Sequence, residues 1–185
     1  ERLIAKAHPD GVEAAQEELE RHLAKRPPRP ALRRHQKDAV ENWRKAGYRG
    51  LIEHATGSGK TITALSCLRL AAEQARPCLV VVPTRVLLRQ WRNEIRSFFG
   101  SDANLLLAGD MYNEWKSGSV LRDHLSSSTA ACPMVISTLD TASSPPFLER
   151  LEGIPGICLV VDEVHRAGSP KRRQLLTLEA EWRLG

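Results

Sequence analysis

The sequence lacks long apolar runs, and no signal peptide opens it. Its apolar stretches are much shorter than the roughly 20 residues that a helix needs to span a bilayer, so we expect no membrane partner. The chain begins at Glu1 without the basic and apolar segments of a signal peptide. It ends at residues 182–185 in what is predicted to be the start of a further strand. We therefore expect a fragment of a larger protein.

Closely spaced cysteine pairs are also missing. The four cysteines are Cys67, Cys78, Cys132 and Cys158. They form no C-x-x-C pair, and their spacings do not match those of a zinc site. Each lies in or beside an apolar segment, which is typical of buried, reduced thiols. We predict a cytoplasmic protein, because thiols stay reduced in that compartment.

The composition of the chain is that of an ordinary globular domain. The hydrophobic share is 42% of 185 residues, which is enough for one domain with a real core. The net charge is +5, and nine Lys or Arg against two Asp or Glu lie between Arg21 and Lys45. This excess is compatible with a polyanionic partner such as nucleic acid. A solvated basic surface without a partner is the alternative.

Apolar, β-branched segments alternate with segments of helical periodicity from residue 31 onward. Strands are predicted at residues 50–52, 78–82, 104–109, 133–138 and 157–161, and helices at residues 37–43, 62–75, 85–99, 120–125, 145–151 and 169–178. We predict an α/β fold, a parallel sheet with helices on both faces, as the single domain 31–185. Residues 1–30 are predicted to be a linker or the end of a preceding domain, with a helix over 10–25 and a proline-rich connector over 26–30.

A glycine-rich loop joins the predicted strand 50–52 to the helix that follows it. Its sequence at residues 55–61 is A-T-G-S-G-K-T. Gly57 and Gly59 allow a tight turn whose N–H groups point inward at the positive end of the helix. This context is typical of a phosphate-binding loop, in which Lys60 binds the outer phosphates and Thr61 offers a hydroxyl to Mg²⁺. A surface turn is the alternative, and His54 stands where the usual first glycine would fall.

Two carboxylates directly follow the apolar segment 157–161. Asp162 is predicted to hold Mg²⁺ through water, and Glu163 is predicted to polarise an attacking water molecule. A solvated turn is the alternative. The glycine-rich loop, residues 83–85, residues 137–141 and residues 162–165 all follow predicted strands. Since ligands of parallel sheets bind at the carboxyl ends of the strands, we expect these turns to gather at one edge.

The loop A-T-G-S-G-K-T and the sequence D-E-V-H at residues 162–165 resemble the motifs of superfamily 2 helicases and translocases. The D-E-V-H spelling resembles the XPB-type group in particular. The resemblance covers about residues 32–185 and implies the first RecA-like domain of such an enzyme, truncated before the family's Ser/Thr-Ala-Thr motif. It implies Lys60 and Glu163 as catalytic residues, and His165 as the link between the nucleotide and nucleic-acid sites. The implied nucleotide-binding residues are Arg33, Gln36, Thr56, Gly57, Ser58, Gly59, Lys60 and Thr61, with Gln36 reading the adenine edge.

Two further turns resemble motifs that contact nucleic-acid phosphates. Residues 82–91 resemble motif Ia, in which Thr84 and Arg85 would bind a phosphate at a helix start. A capped helix is the alternative, and Trp91 on this helix is predicted to pack in the core. Residues 133–141 resemble a later motif, which implies a contact by Thr138. Asp140 stands where that motif often has Gln, and its carboxylate would repel a phosphate.

The resulting prediction is the ATP-binding domain of an ATP-dependent helicase or translocase. Its implied cofactors are ATP and Mg²⁺, and its implied partner is nucleic acid, with DNA favoured over RNA. A second RecA-like domain in the missing C-terminal part would supply an arginine finger, worth about 10³–10⁵ in rate. We therefore expect the chain alone to be largely inactive. A P-loop small-molecule kinase and a non-catalytic nucleic acid-binding module stay open as alternatives.

Overall fold

The computed structural model of the chain describes residues 31–53, 57–100, 103–127, 132–165 and 170–185. The helix and connector predicted within residues 1–30 lie outside the described residues, and so do His54 and Thr56 of the glycine-rich loop. In the described part of the chain, no helix is both long and apolar enough to cross a membrane.

Six parallel strands form the sheet found in the described part of the chain. They are β1 (Arg49–Gly50), β2 (Cys78–Val82), β3 (Leu105–Ala108), β4 (Met134–Thr138), β5 (Cys158–Val161) and β6 (Trp182–Leu184), in the spatial order β1-β6-β5-β2-β4-β3. The predicted strands are confirmed, including the one at the end of the sequence. The strand predicted at 50–52 is shorter, since only Gly50 of that segment belongs to β1. The amide of Ile52 still donates to the carbonyl of Gly185 at 2.8 Å, so the backbone pairing with the β6 segment continues past β1.

Helices and short 3-10 turns connect the strands. The α-helices are α1 (Arg34–Lys45), α2 (Lys60–Glu73), α3 (Arg85–Phe99), α4 (Val120–Leu125), α5 (Leu139–Ala142), α6 (Pro145–Leu151) and α7 (Pro170–Arg173), with 3-10 turns at Glu114–Lys116 and Gln174–Thr177. The helix predicted over 169–178 is wrong in its second half, which is 3-10. A 3-10 turn places side chains three residues apart on one face, and this buries both Leu175 and Leu178.

Both faces of the sheet are covered, as predicted. Successive side chains of a strand point to opposite faces, so Val80 of β2 packs on one face while Leu79 and Val81 pack on the other. Buried side chains of α1, α2 and α3 cover the Val80 face, and those of α4, α5 and α6 cover the opposite face. Burial on both faces explains why β2 and β5 are unbroken apolar segments.

An aromatic cluster fixes α1 against the β6 edge of the sheet. The rings of Tyr48 and Trp182 stack with their centroids 3.7 Å apart, and Trp43 meets both rings edge-on. The indole N–H of Trp43 also donates to the backbone carbonyl of Arg183 at 2.8 Å. These contacts hold the helix that carries Gln36 in place beside the glycine-rich loop.

The four cysteines are free thiols, of which Cys67, Cys78 and Cys158 are buried. Hydrogen bonding to the thiols of Cys132 and Cys158, together with burial, raises the pKa of the Cys78 thiol. Burial also raises the pKa of the Cys67 thiol. These thiols therefore stay protonated in the folded protein at neutral pH.

Candidate nucleotide site and nucleic-acid face

The predicted functional turns lie at one edge of the sheet. Val82 at the end of β2 pairs in register with Thr138 at the end of β4, and Val81 pairs with Val161 at the end of β5. The turns that follow these strands therefore begin side by side. This alignment follows from the parallel register alone, because each strand enters the sheet in the same direction.

The glycine-rich loop has the backbone shape that its sequence predicts. Gly57 and Gly59 have φ angles of +80° and +88°, in the left-handed region that favours glycine. A Cβ atom at Gly59 would lie 2.4 Å from Nε2 of Gln36, so a side chain at this position would displace the Gln36 amide. Helix α2 begins directly after this glycine, at Lys60. The hydroxyl of Ser58 is buried without a hydrogen-bond partner in the described part of the chain.

Gln36 contacts the loop itself. It is 5% exposed, and its Nε2 atom donates to the carbonyl of Ser58 at 3.0 Å and to that of Gly59 at 3.4 Å. Its Oε1 atom accepts from the backbone amide of Arg33 at 2.9 Å, whereas the Arg33 side chain is exposed. Both ends of the Gln36 amide are therefore engaged by the backbone. The adenine contact of Gln36 stays a prediction, and so does the nucleotide contact of Arg33.

The residues predicted to act on phosphate, metal and water lie together. Lys60, Thr61, Asp162, Glu163 and His165 all line a cleft of about 730 Å³ at the carboxyl ends of the strands. The side chains of Lys60 and Glu163 are exposed, and those of Thr61 and Asp162 are half-buried. An ammonium group, a hydroxyl group and two carboxylates therefore lie around the same cleft.

Asp162 is held at two points. Its backbone amide donates to the carbonyl of Val81 at 2.8 Å. Its Oδ2 atom accepts a hydrogen bond from Nε1 of Trp91 at 2.9 Å. Trp91 is buried in the core, as predicted, but its contact with the carboxylate was missed. The available signal was the indole N–H itself, since a buried tryptophan usually needs an acceptor.

Glu163 has a backbone conformation that is rare for its residue type. Its φ angle of +53° lies in the left-handed region, which L side chains seldom adopt. Its Oε2 atom lies 3.5 Å from Nδ1 of His165, and the exposed fraction is 41% for the Glu163 side chain and 69% for that of His165. The two residues that the sequence assigned to water activation and to coupling therefore lie in contact at the cleft.

The predicted nucleic-acid residues occupy the neighbouring turns, and each has a contact within the protein. Oγ1 of Thr84 accepts a hydrogen bond from the amide of Leu87 at 3.3 Å, which caps α3. Nε of the exposed Arg85 lies 3.9 Å from Oδ2 of Asp110. Thr138 is 6% exposed, and its hydroxyl donates to that of Thr141 at 3.0 Å. Their phosphate contacts stay predictions.

Asp140 has a cationic partner that the sequence did not indicate. Nε and Nη2 of Arg172 lie 3.1 and 2.9 Å from its Oδ1 atom. The guanidinium offsets the negative charge that would repel a phosphate at this turn. Because the two residues are 32 positions apart, no local pattern connects them.

A family model with the description "Type III restriction enzyme, res subunit" matches residues 29–185. The chain belongs to this family. The match covers the whole predicted domain and the two residues before it, and it includes both the glycine-rich loop and the D-E-V-H turn.

Curated proteins that are similar in sequence to this chain are named as DNA helicases. A Halobacterium salinarum protein assigned by name to the Rad25 DNA 3′-5′ helicases is 30% identical over 154 residues, 83% of this chain and 22% of that protein. The DNA 3′-5′ helicase XPB of Kineococcus radiotolerans is 30% identical over 155 residues, 84% of this chain and 25% of that protein. The chain thus spans about a quarter of the length of these relatives. The predicted resemblance to the XPB-type group is confirmed.

Solved structures confirm the predicted fold. The Sulfolobus solfataricus SWI2/SNF2 ATPase core in complex with dsDNA has a TM-score of 0.65 at 18% identity, over 86% of this chain and 32% of that chain. The structure of T4 UvsW has a TM-score of 0.64 at 20% identity, over 92% of this chain and 33% of that chain. At such identities the likeness establishes the RecA-like architecture alone.

Proposed function

We propose that this chain is the ATP-binding first RecA-like domain of an enzyme that couples ATP hydrolysis to movement on DNA. The observation that carries the proposal is the common cleft lined by Lys60, Thr61, Asp162 and Glu163. The helicase names of the relatives support the same conclusion. Their names specify DNA, and this favours DNA over RNA as the partner of this chain.

The residues present fit Mg²⁺·ATP. The left-handed glycines and the start of α2 form a loop that can turn its N–H groups toward an anion. The buried hydroxyl of Ser58, without a partner in the described structure, adds a polar group to this loop. Thr61 and Asp162 supply the hard oxygen donors that Mg²⁺ prefers.

Each residue of the cleft has a role that follows from its chemistry. When bound, Mg²⁺·ATP supplies the phosphoanhydride bond whose hydrolysis drives movement. Lys60 would place a positive charge against the outer phosphates, and Thr61 and Asp162 would hold the metal ion, since all three line the cleft. Glu163 orients the attacking water and accepts its proton. The positive φ angle of Glu163 costs about 1–3 kcal/mol, and such strain is found at functional sites that require one side-chain direction.

The turns that follow β2 and β4 form the proposed nucleic-acid face. Thr84, Arg85 and Thr138 lie there, and Arg85 has an exposed guanidinium that can bind a phosphate. His165 lies at the cleft in contact with Glu163, which supports its proposed role as the link between hydrolysis and DNA binding.

A second RecA-like domain completes the proposed enzyme. The relatives are about four times as long as the matched segment, which leaves room for such a domain in them. Without its arginine finger, the 185-residue chain should bind nucleotide but hydrolyse ATP slowly. The assignment of residues 1–30 to a linker is part of the same proposal. The cytoplasmic location stays a prediction.

The test is made in the full-length protein. Lys60→Ala should abolish DNA-stimulated ATP hydrolysis and movement. Glu163→Gln should lower turnover by about 10²–10⁴-fold and retain nucleotide binding. Lys45→Ala, which changes a lysine on the exposed side of α1, is the matched control and should behave as wild type. Translocation or unwinding that survives Lys60→Ala would contradict the proposal and favour a non-catalytic DNA-binding module.

A further inference from the structure

The contact between Trp91 and Asp162 joins a core residue to the proposed metal ligand. The Trp91 indole is 4% exposed, and its Nε1 atom donates to Oδ2 of Asp162 at 2.9 Å. The carboxylate is half-buried and lines the cleft. A hydrogen bond to a charged acceptor is stronger than one between neutral groups, and partial burial strengthens it further.

Packing fixes the direction of the indole. Leu88, Trp91, Ile95 and Phe98 form the buried stripe of α3, at the spacing of one helix face. A ring surrounded by close-packed side chains cannot turn freely, so its N–H group has one orientation. The Asp162 side chain has two rotatable bonds, and its backbone is anchored to Val81. The rigid Trp91 indole therefore sets the orientation of the flexible Asp162 side chain.

We propose that Trp91 is a positioning residue for Mg²⁺ binding: its indole N–H holds Oδ2 of Asp162, which leaves the other carboxylate oxygen for the metal ion or its water. The inference rests on the proposed function, because it assumes that Asp162 serves a nucleotide-bound Mg²⁺. Partners that orient a metal ligand typically contribute 10–100-fold to metal affinity. Loss of the N–H group should therefore raise the Mg²⁺ concentration needed for nucleotide binding by about that factor.

The matched variants are Trp91→Phe and Trp115→Phe. Each replaces a buried indole by a smaller aromatic ring and removes an N–H group. Trp115 is 3% exposed, and its Nε1 atom has no hydrogen-bond partner in the described part of the chain. The two substitutions thus share the loss of packing, but only Trp91→Phe removes a donor from Asp162.

Binding of a non-hydrolysable ATP analogue to the 185-residue chain is measured by calorimetry, with Mg²⁺ varied from none to excess. Trp91→Phe should raise the half-saturating Mg²⁺ concentration about 10–100-fold and leave Mg²⁺-free binding unchanged. Trp115→Phe should change neither the half-saturating Mg²⁺ concentration nor the Mg²⁺-free binding. Equal Mg²⁺ dependence of Trp91→Phe, Trp115→Phe and wild type would overturn the inference.

A second measurement needs no tryptophan variant. The indole ¹⁵N–H resonance of Trp91 in the wild-type chain should shift when Mg²⁺ is added to the analogue complex, and that of Trp115 should not. Asp162→Asn should shift the Trp91 resonance without ligand. An unmoved Trp91 resonance in both cases would mean that the pair does not exist in solution. If wild type shows no Mg²⁺-dependent binding while Asp162→Asn shifts the resonance, the proposed function fails although the hydrogen bond is real.

Discussion

Nε2 of Gln36 donates a hydrogen bond to the backbone carbonyl of Ser58 at 3.0 Å. This bond connects helix α1 to the glycine-rich loop, and the aromatic cluster of Trp43, Tyr48 and Trp182 anchors the same helix to the edge of the sheet. The loop is therefore supported from a helix that lies outside the strand–loop–helix unit. Gln36 can act on nucleotide binding in two ways, by ordering the loop or by contacting the base.

Gln36→Ala separates these two roles. If Gln36 orders the loop, the variant should lose affinity for ATP and GTP analogues by the same factor, on the order of 10-fold for a hydrogen bond worth about 1–1.5 kcal/mol. If it reads adenine, as the family resemblance implies, the variant should lose the preference for ATP over GTP. Titration of both analogues by calorimetry distinguishes the outcomes. If the affinities for the ATP and GTP analogues are both unchanged, Gln36 has neither of the two roles.

Gly59→Ala should damage the loop in two ways. The φ angle of +88° is unfavourable for alanine by about 1–2 kcal/mol, and the new Cβ atom would lie 2.4 Å from Nε2 of Gln36. Gly153→Ala is the control, because its φ angle is +74° and no atom lies within 4 Å of its Cβ position. Urea unfolding should show a larger loss of stability for Gly59→Ala, and nucleotide binding should fall only there. Equal effects of both variants would mean that the contact with Gln36 is unimportant.

Arg85 and Asp110 test the proposed nucleic-acid face. Their side chains lie 3.9 Å apart and are exposed, so the pair contributes little to stability. Arg85→Ala should weaken the binding of all DNA sequences by a similar factor. It should also reduce the slope of log binding constant against log salt concentration by about one, because one fewer counterion is released. Asp110→Asn should strengthen DNA binding, because it removes a negative charge beside the arginine. Fluorescence anisotropy over a range of salt concentrations measures both. An unchanged salt slope in Arg85→Ala would remove this residue from the DNA face.

His124 should make the stability of the fold depend on pH. Burial lowers the pKa of its imidazole, although hydrogen bonds to the backbone of Met134 and Asn104 oppose this shift. Below the unfolded-state value of about 6.5, the unfolded chain therefore binds more protons than the folded one, and the free energy of unfolding falls as pH is lowered. His124→Gln should flatten this dependence as the pH falls below about 6.5 in urea unfolding. A slope identical to that of wild type would contradict the assignment.

The sequence predicted the elements whose signals are local. The segment Cys78–Val82 is identifiable as a strand because both of its faces are buried, so that every position is apolar. The glycine-rich loop and the carboxylates after β5 were identifiable because the chemistry needs those residue types within a few positions. The 3-10 turn over Gln174–Thr177 was missed, since leucines at this spacing also fit an α-helix.

The sequence by itself determined the order of strands and helices and the groups available for phosphate and metal binding. The tertiary structure decided which distant side chains meet. Trp91 reaches Asp162 across 71 positions, and Arg172 reaches Asp140 across 32. Such contacts depend on the register of β2 against β5 and on the packing of helices across the sheet. No short sequence pattern encodes these relationships, because they arise only when separate segments pack together.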